Sequence, residues 1–445
     1  LSAEKELFMS ETKGSGRWFM VAMATLLMVC LGTVYAWSYF QTPIMKEFGW
    51  NNTQVSLIFS FAIFFLGVSA AIGGVWLPKI GPRKMALAGS VLFSLGYAIA
   101  SFALSLKSLP LLYIGYGVIG GTGLGLGYVT PVATISKWFP DKKGLATGMV
   151  IMGFGLGALV MSKILAPTLL GWTGGNLVTV FLALACLFFV LTMLSSLALK
   201  NPPAGWTPST KKGPKQALAS SAPPMSPGEA YRNASRDIFS KKFAFVWIMF
   251  FCNITAGIAI VGFQSPMFQD LWKKTNSALT PEALAAFGAT LIAITSLFNG
   301  FGRFFWGAVS DRAGRIKTFR IMLGSELAIF AVLILTGNPW IFAILLCWIL
   351  MCYGGGFGTM PATISELFGQ GKMTVMYGVV LTAWACGGVV GPQITAFIKD
   401  KMPGNASTLS FIVGAAFVAI GFIVSLLIPS AGVSAKAPSP SASKR

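Results

Sequence analysis

Asn299 and Arg303 stand one helical turn apart in a segment, residues 299–315, that reads NGFGRFFWGAVSDRAGR. No charge occurs in residues 285–298 before them, and Phe304, Phe305, Trp306 and Gly307 follow Arg303 before Asp311 is reached. An ionised side chain inside an apolar run costs at least about 2.5 kcal/mol at mid-membrane, so it marks a candidate site by default. A guanidinium presents a planar fork of donors that matches a carboxylate bidentately, and it keeps its charge in a low dielectric where a lysine can lose it. The chemistry expected is anion capture. Asn299 shares a helix face with Arg303, so its amide could orient the guanidinium or reach a second ligand oxygen. Asp311, two turns beyond Arg303 and about 12 Å along the axis, is too far for a direct partnership.

The elements that must position this pair follow from composition. Of 445 residues 55% are hydrophobic and 10% charged, mean hydropathy is +0.74, and runs of membrane-spanning length recur down the chain. The prediction is an all-α integral membrane protein, with twelve transmembrane helices in two pseudo-symmetric six-helix bundles. The runs are too long and too continuously apolar for the strands of a barrel. The bundles are expected at 17–200 and 241–428, between an N-terminal tail (1–16), a Pro-, Ser- and Lys-rich linker (201–240) and a C-terminal tail (429–445). The first tail has no cleavage-type signal and reads as cytoplasmic. The second half of the linker could form a basic surface helix.

The net charge of +20 could suggest nucleic acid, but the basic residues are dispersed between apolar runs and read as topology signals. With both tails and the even-numbered connections in the cytoplasm, that side carries 25 Lys and Arg against six on the other. Two basic residues remain in the membrane: Arg303, and Lys163, which is expected to snorkel to the outer surface. All six cysteines lie in apolar runs without metal-type spacing and there is no histidine, so no metal and no cofactor are expected. Without clustered carboxylates either, an integral-membrane enzyme is disfavoured. The glycine run GTGLGLG (121–127) lies inside a membrane span with no preceding strand, and reads as close helix packing instead of a nucleotide fingerprint.

The halves repeat each other. TPVATISKWF (130–139) matches MPATISELF (360–368), and GVWLPKIGPRK (74–84) matches GAVSDRAGRIK (307–317) at nearly the same offset. Two facing bundles form an architecture for alternating access, with the ligand near the midplane.

The second loop copy resembles the G-x-x-x-D-R-x-G-R-[RK] motif of the major facilitator superfamily, which would make Gly307, Asp311, Arg312, Gly314 and Arg315 a cytoplasmic gating motif. In the first copy Pro78 occupies the aspartate position. KWFPDKKGLATG (137–148), the Tyr35–Ala36–Trp37 triplet and N-G-x-x-R (299–303) are similar to the oxalate/formate antiporter and monocarboxylate transporter branch. That resemblance implies an aromatic-lined cavity, carried onto Tyr35, Tyr128, Phe154, Tyr353 and Phe357, although aromatics in apolar helices also serve as packing. Oxalate antiporters carry a lysine on helix 11, whereas here Trp384 stands at the corresponding place. One central cation balances one carboxylate, and a dicarboxylate would leave a charge unpaired.

The resemblance therefore implies a secondary transporter of small monocarboxylates, of the lactate or pyruvate class, in the inner (plasma) membrane, with both termini cytoplasmic and a monomeric state. Coupling stays open. The resemblance tilts toward proton-linked symport, with exchange and uniport equally permitted by the residues, and a sensor or channel could reuse the same fold. The acid that proton-linked relatives place one turn before the arginine is here Asn299, and helix 1 has no lysine. Of the remaining acids, Glu326 reads as a structural carboxylate near the cytoplasmic surface and Glu366 lies near the end of helix 10.

Overall fold

The structure, a computed structural model of the chain, describes residues 15–139, 143–203, 227–369 and 372–428. The expected N-terminal tail up to residue 14, linker residues 204–226 and the tail 429–445 lie outside the described residues. Among the described residues, twelve helices are long and apolar enough to cross a membrane: α1 Gly16–Phe48, α2 Asn52–Ile80, α3 Pro82–Ser105, α4 Leu109–Trp138, α5 Leu145–Trp172, α6 Leu177–Ala198, α7 Lys241–Thr275, α8 Pro281–Ala313, α9 Arg315–Leu335, α10 Pro339–Phe368, α11 Val375–Lys401 and α12 Pro403–Leu427. A thirteenth helix, Pro227–Ile238, occupies the part of the linker where a surface helix was expected.

Glycine sets the tightest junctions. Gly81 ends α2 and starts α3 at φ +84°, and Gly314 does the same between α8 and α9 at φ +90°, a backbone region that side chains with a Cβ rarely adopt. The outermost helices α3, α6, α9 and α12 expose Phe102, Leu194, Val332 and Ile423, an apolar surface suited to lipid and unsuited to water.

The two halves meet along α2 with α11 and α5 with α8. A Cβ built on Gly67 would lie 2.7 Å from Ala385 Cβ, and one on Gly155 would lie 2.6 Å from Gly300 Cα, so these backbones touch. Polar contacts pin the second seam. Ser296 Oγ donates to the Gly155 carbonyl (2.6 Å), Leu159 N–H donates to Ser296 Oγ (3.1 Å), and Lys163 Nζ donates to Thr290 Oγ1 (2.7 Å). Lys163 therefore reaches across the seam at an exposed position.

At the face opposite the linker, Asp400 at the end of α11 caps the start of α2. Its carboxylate accepts from Asn52 N (3.1 Å), Asn52 Nδ2 (2.9 Å), Thr53 N (2.8 Å) and Thr53 Oγ1 (2.5 Å). A carboxylate on the free N–H groups of a helix start is favourable twice, by hydrogen bonding and by the helix dipole. At the linker face, the helix Pro227–Ile238 reaches both α2 and α11. It is held by an ion pair between Asp237 and Lys372 (2.5 Å) and by the buried Ala234.

Candidate functional site

Arg303 projects from the middle of α8 into the seam between the halves and is 2% exposed. Its guanidinium carbon lies 4.9 Å from the ring centroid of Phe357 and 5.5 Å from that of Phe154, within cation–π range of one ring from each half. Nη1 donates to Tyr128 Oη at 3.4 Å, while Nε and Nη2 are buried with no protein partner. A buried cation with two free donors in one plane is half of a bidentate carboxylate site.

Local irregularities aim the surrounding rings. Helix α1 tightens to 3₁₀ geometry over Thr33–Ala36, which contains Tyr35, and Gly32 just before it packs against the Phe154 backbone. Leu381 breaks the regular geometry of α11, where Trp384 N bonds the Leu381 carbonyl, and Trp384 emerges from that bend. The result is a closed ring of aromatics. Tyr35 and Tyr353 share a hydroxyl hydrogen bond of 2.7 Å across the halves. Trp384 stands edge to face with Phe357 (4.6 Å) and Tyr128 (5.3 Å), and Phe154 does so with Tyr35 and Tyr128 (5.1 Å each). Such contacts stabilise each pair by about 0.5–1.5 kcal/mol beyond burial.

Sequence comparison decides the family. The pattern of the Major Facilitator Superfamily matches residues 18–392. The chain belongs to that superfamily. Among its relatives are the oxalate:formate antiporter of Oxalobacter formigenes, 28% identical over 88% of this chain and 87% of that protein, and monocarboxylate transporter 13 of Rattus norvegicus, 24% identical over 94% and 91%. Among solved structures, a bacterial homologue of the human lysosomal transporter Spinster, inward-facing and unoccupied, superposes with a TM-score of 0.63 at 16% identity over 93% of this chain and 97% of that one. The fold is thus that of a major facilitator transporter, and the chain is a multi-pass membrane protein of that class.

Within this facilitator, Arg303, Tyr35, Tyr128, Phe154, Tyr353, Phe357 and Trp384 all come together at one buried centre. Asn299 lies one turn before Arg303 on α8. Its Oδ1 has no partner and its amide makes no hydrogen bond to Arg303; instead it packs against Gly354 of α10, whose added Cβ would lie 2.7 Å from Oδ1. Asn299 also lines a small void with Tyr35, Gln264 and Thr295.

The loop motif pairs within its own half. Arg315 pairs with Asp311 one turn away (2.5 Å), donates to Ser310 Oγ, and lies 3.6 Å from Glu366 of α10. Asp311 is 65% exposed and, among the described residues, its ion pair stays within the second half. Gly307 faces the Gly358 carbonyl of α10 at 3.7 Å from a built Cβ, and Arg312 is exposed.

Glu326 is not near a surface. It is 0% exposed and lies eleven residues into α9, about 16 Å from its start, roughly the middle of a membrane core. Arg320 of α9 donates to carbonyls at the end of α12, Ser425 (3.0 Å) and, just beyond it, Ile428 (2.9 Å).

Tyr377 was missed. Its side chain is buried, and it lies near Tyr128 and Arg303. The usable signal was spacing: Tyr377 precedes Trp384 by two helical turns and so tends to share its face. The bend at Leu381 sits between them.

Proposed function

We propose that this transporter carries a small monocarboxylate of the lactate or pyruvate class across the membrane by alternating access, as a proton-linked symport. The observation that carries the reading is Arg303, a buried cation with Nε and Nη2 unpartnered and no second cation in the cage. A carboxylate that accepts from those two nitrogens neutralises the charge and completes the fork. A second carboxylate would be desolvated among Trp384, Phe357 and Phe154, with no cation to meet it. The cage fits closely around its rings, which suits a short acid.

The contacts that would alternate are those that cross the halves. The Asp400 clasp and the Ser296–Gly155 bond close the face opposite the linker, and the Tyr35–Tyr353 bond closes the cage itself. In our reading the linker face is cytoplasmic, because lysine and arginine concentrate there, and the protein works as a monomer in the inner (plasma) membrane.

The oxalate:formate antiporter relative favours a second reading, exchange of one anion for another. Uptake of labelled lactate, pyruvate, formate and oxalate into proteoliposomes, with and without an imposed proton gradient, separates the two. Lactate or pyruvate accumulating with the gradient supports symport. Strong oxalate uptake with little lactate uptake would defeat the single-charge argument.

A further inference from the structure

We infer that Glu326, paired with Asn253, is the proton-binding site of this carrier. The inference rests on the proton-linked reading above and names the group that would hold the proton.

Glu326 and Asn253 are both 0% exposed, and Asn253 Nδ2 donates to Glu326 Oε2 at 3.1 Å. Glu326 Oε1 and Asn253 Oδ1 have no partner. The pair therefore holds two idle acceptors and lacks one donor. A proton on the carboxyl supplies that donor and removes a charge that nothing nearby balances.

Among the described residues, no Lys or Arg pairs with Glu326. Helix α10 contributes the Cys352 thiol as its titratable neighbour. Helix α7 contributes Asn253 and, beside it, Cys252, which packs on Gly421 of α12. Between residues 406 and 427, α12 has no ionisable side chain. Trp306 of α8 and Met322 of α9 both crowd Gly355 of α10. On α9 itself, Arg320 is committed to carbonyls of α12.

What ties this acid to the anion site is α10. Cβ atoms built on Gly354 and Gly358 would lie 2.1 and 2.0 Å from the backbone oxygens of Asn299 and Arg303 on α8, and one on Gly356 would lie 2.2 Å from Asn253 Oδ1. At about 100° per residue, Gly356 faces nearly opposite to both. One helix is thus held without slack between the arginine helix and the acid pair, and it carries Tyr353 and Phe357 of the cage.

The charges then set the stoichiometry. With a carboxylate on Arg303 and a proton on Glu326, the interior is neutral. With both sites empty, Glu326 carboxylate and Arg303 guanidinium again sum to zero. A carrier holding only one of the two ligands has a net buried charge, which the membrane disfavours. Neutral crossings therefore move one proton with each monocarboxylate.

The test is Glu326→Gln, an isostere whose amide N–H can still donate to Asn253 Oδ1, in proteoliposomes. Counterflow of labelled lactate or pyruvate needs only the loaded carrier and is expected to persist. Accumulation driven by a proton gradient needs the empty carrier to return and is expected to fall about 100-fold, the rate equivalent of one unbalanced charge at mid-membrane. If Glu326→Gln accumulates substrate as the wild type does, Glu326 is a permanently neutral structural acid and the inference fails. Infrared spectroscopy of purified wild-type protein gives a second, substrate-independent readout. A protonated-carboxyl band that titrates with pH in wild type and is missing in the variant supports the inference, and no titrating band at any pH overturns it. Absence of lactate and pyruvate counterflow in wild type would instead sink the substrate reading, leaving the infrared result to judge the proton site.

Discussion

Gly81 and Gly314 hold the same left-handed junction, at φ +84° and +90°, and Pro131 and Pro361 sit inside α4 and α10 at matching places in the two repeats. Charge does not repeat with the backbone. In the second half Asp311 and Arg315 pair across one turn, whereas the first-half positions that align with them are Pro78 and Pro82. At the cage, the first half supplies Tyr35, Tyr128 and Phe154, all neutral, while the second supplies the sole cage cation, Arg303. The comparison teaches that the repeat positions the helices and its violations locate the chemistry. The two halves share a backbone plan, and the cage cation is placed in only one of them.

The sharpest way to break the comparison is to remove its one charge. Arg303→Ala should abolish monocarboxylate binding and uptake by a factor on the order of 1,000, corresponding to the 3–5 kcal/mol for loss of one partner of a buried ion pair. Arg303→Lys should restore only part of that, because a point charge lacks the fork. Binding to Arg303→Ala that matches wild type, by calorimetry in detergent, would remove Arg303 from the site.

A smaller effect is expected from the neutral half. Tyr128→Phe deletes the first-half hydroxyl that Arg303 bonds, and should weaken substrate affinity about 15-fold with folding intact, the low end of the roughly 1.5–3 kcal/mol range of charge-assisted hydrogen bonds. An unchanged KM would show that the first half contributes shape alone.

The Asp400 clasp joins the halves at the far face. Asp400→Ala should lower thermal stability by about 1–2 kcal/mol, as loss of a helix cap does, and should raise labelling of cysteines introduced on that face of the seam. No change in labelling would mean that the α2 and α11 backbones alone keep the face closed.

The smallest effect comes from restoring the missing symmetry. Pro78→Asp with Pro82→Arg rebuilds in the first loop the pair seen at Asp311 and Arg315. Because the Asp311 carboxylate is 65% exposed, that pair should add no more than about 1 kcal/mol to thermal stability. A change in transport rate above about threefold, roughly 0.65 kcal/mol, would show that the lone second-half pair controls gating.

Much of the fold was legible because apolar length and lysine–arginine placement are local properties that a bilayer enforces residue by residue. Of the seven side chains at the centre, Arg303 was legible as a charge in an apolar run and the six aromatics through the resemblance. What escaped depended on direction. Asn299 was placed on the helix and turn of Arg303, but its packing against Gly354 of α10 could not be read along the chain. Tyr377 needed the bend at Leu381 to be weighed, and Asp400 lies 348 residues from the Asn52 it caps.

The sequence by itself determined a twelve-helix membrane chain, its internal repeat, and a lone arginine in the middle of the eighth span, since each of these follows from composition and spacing along the chain. Only the tertiary structure decided that Arg303 keeps two donors free inside an aromatic ring of both halves, and that Glu326 lies buried against Asn253 with no Lys or Arg paired to it among the described residues. The physical reason is that a charge in a membrane has its state set by what packs against it, and those neighbours come from helices far apart in sequence.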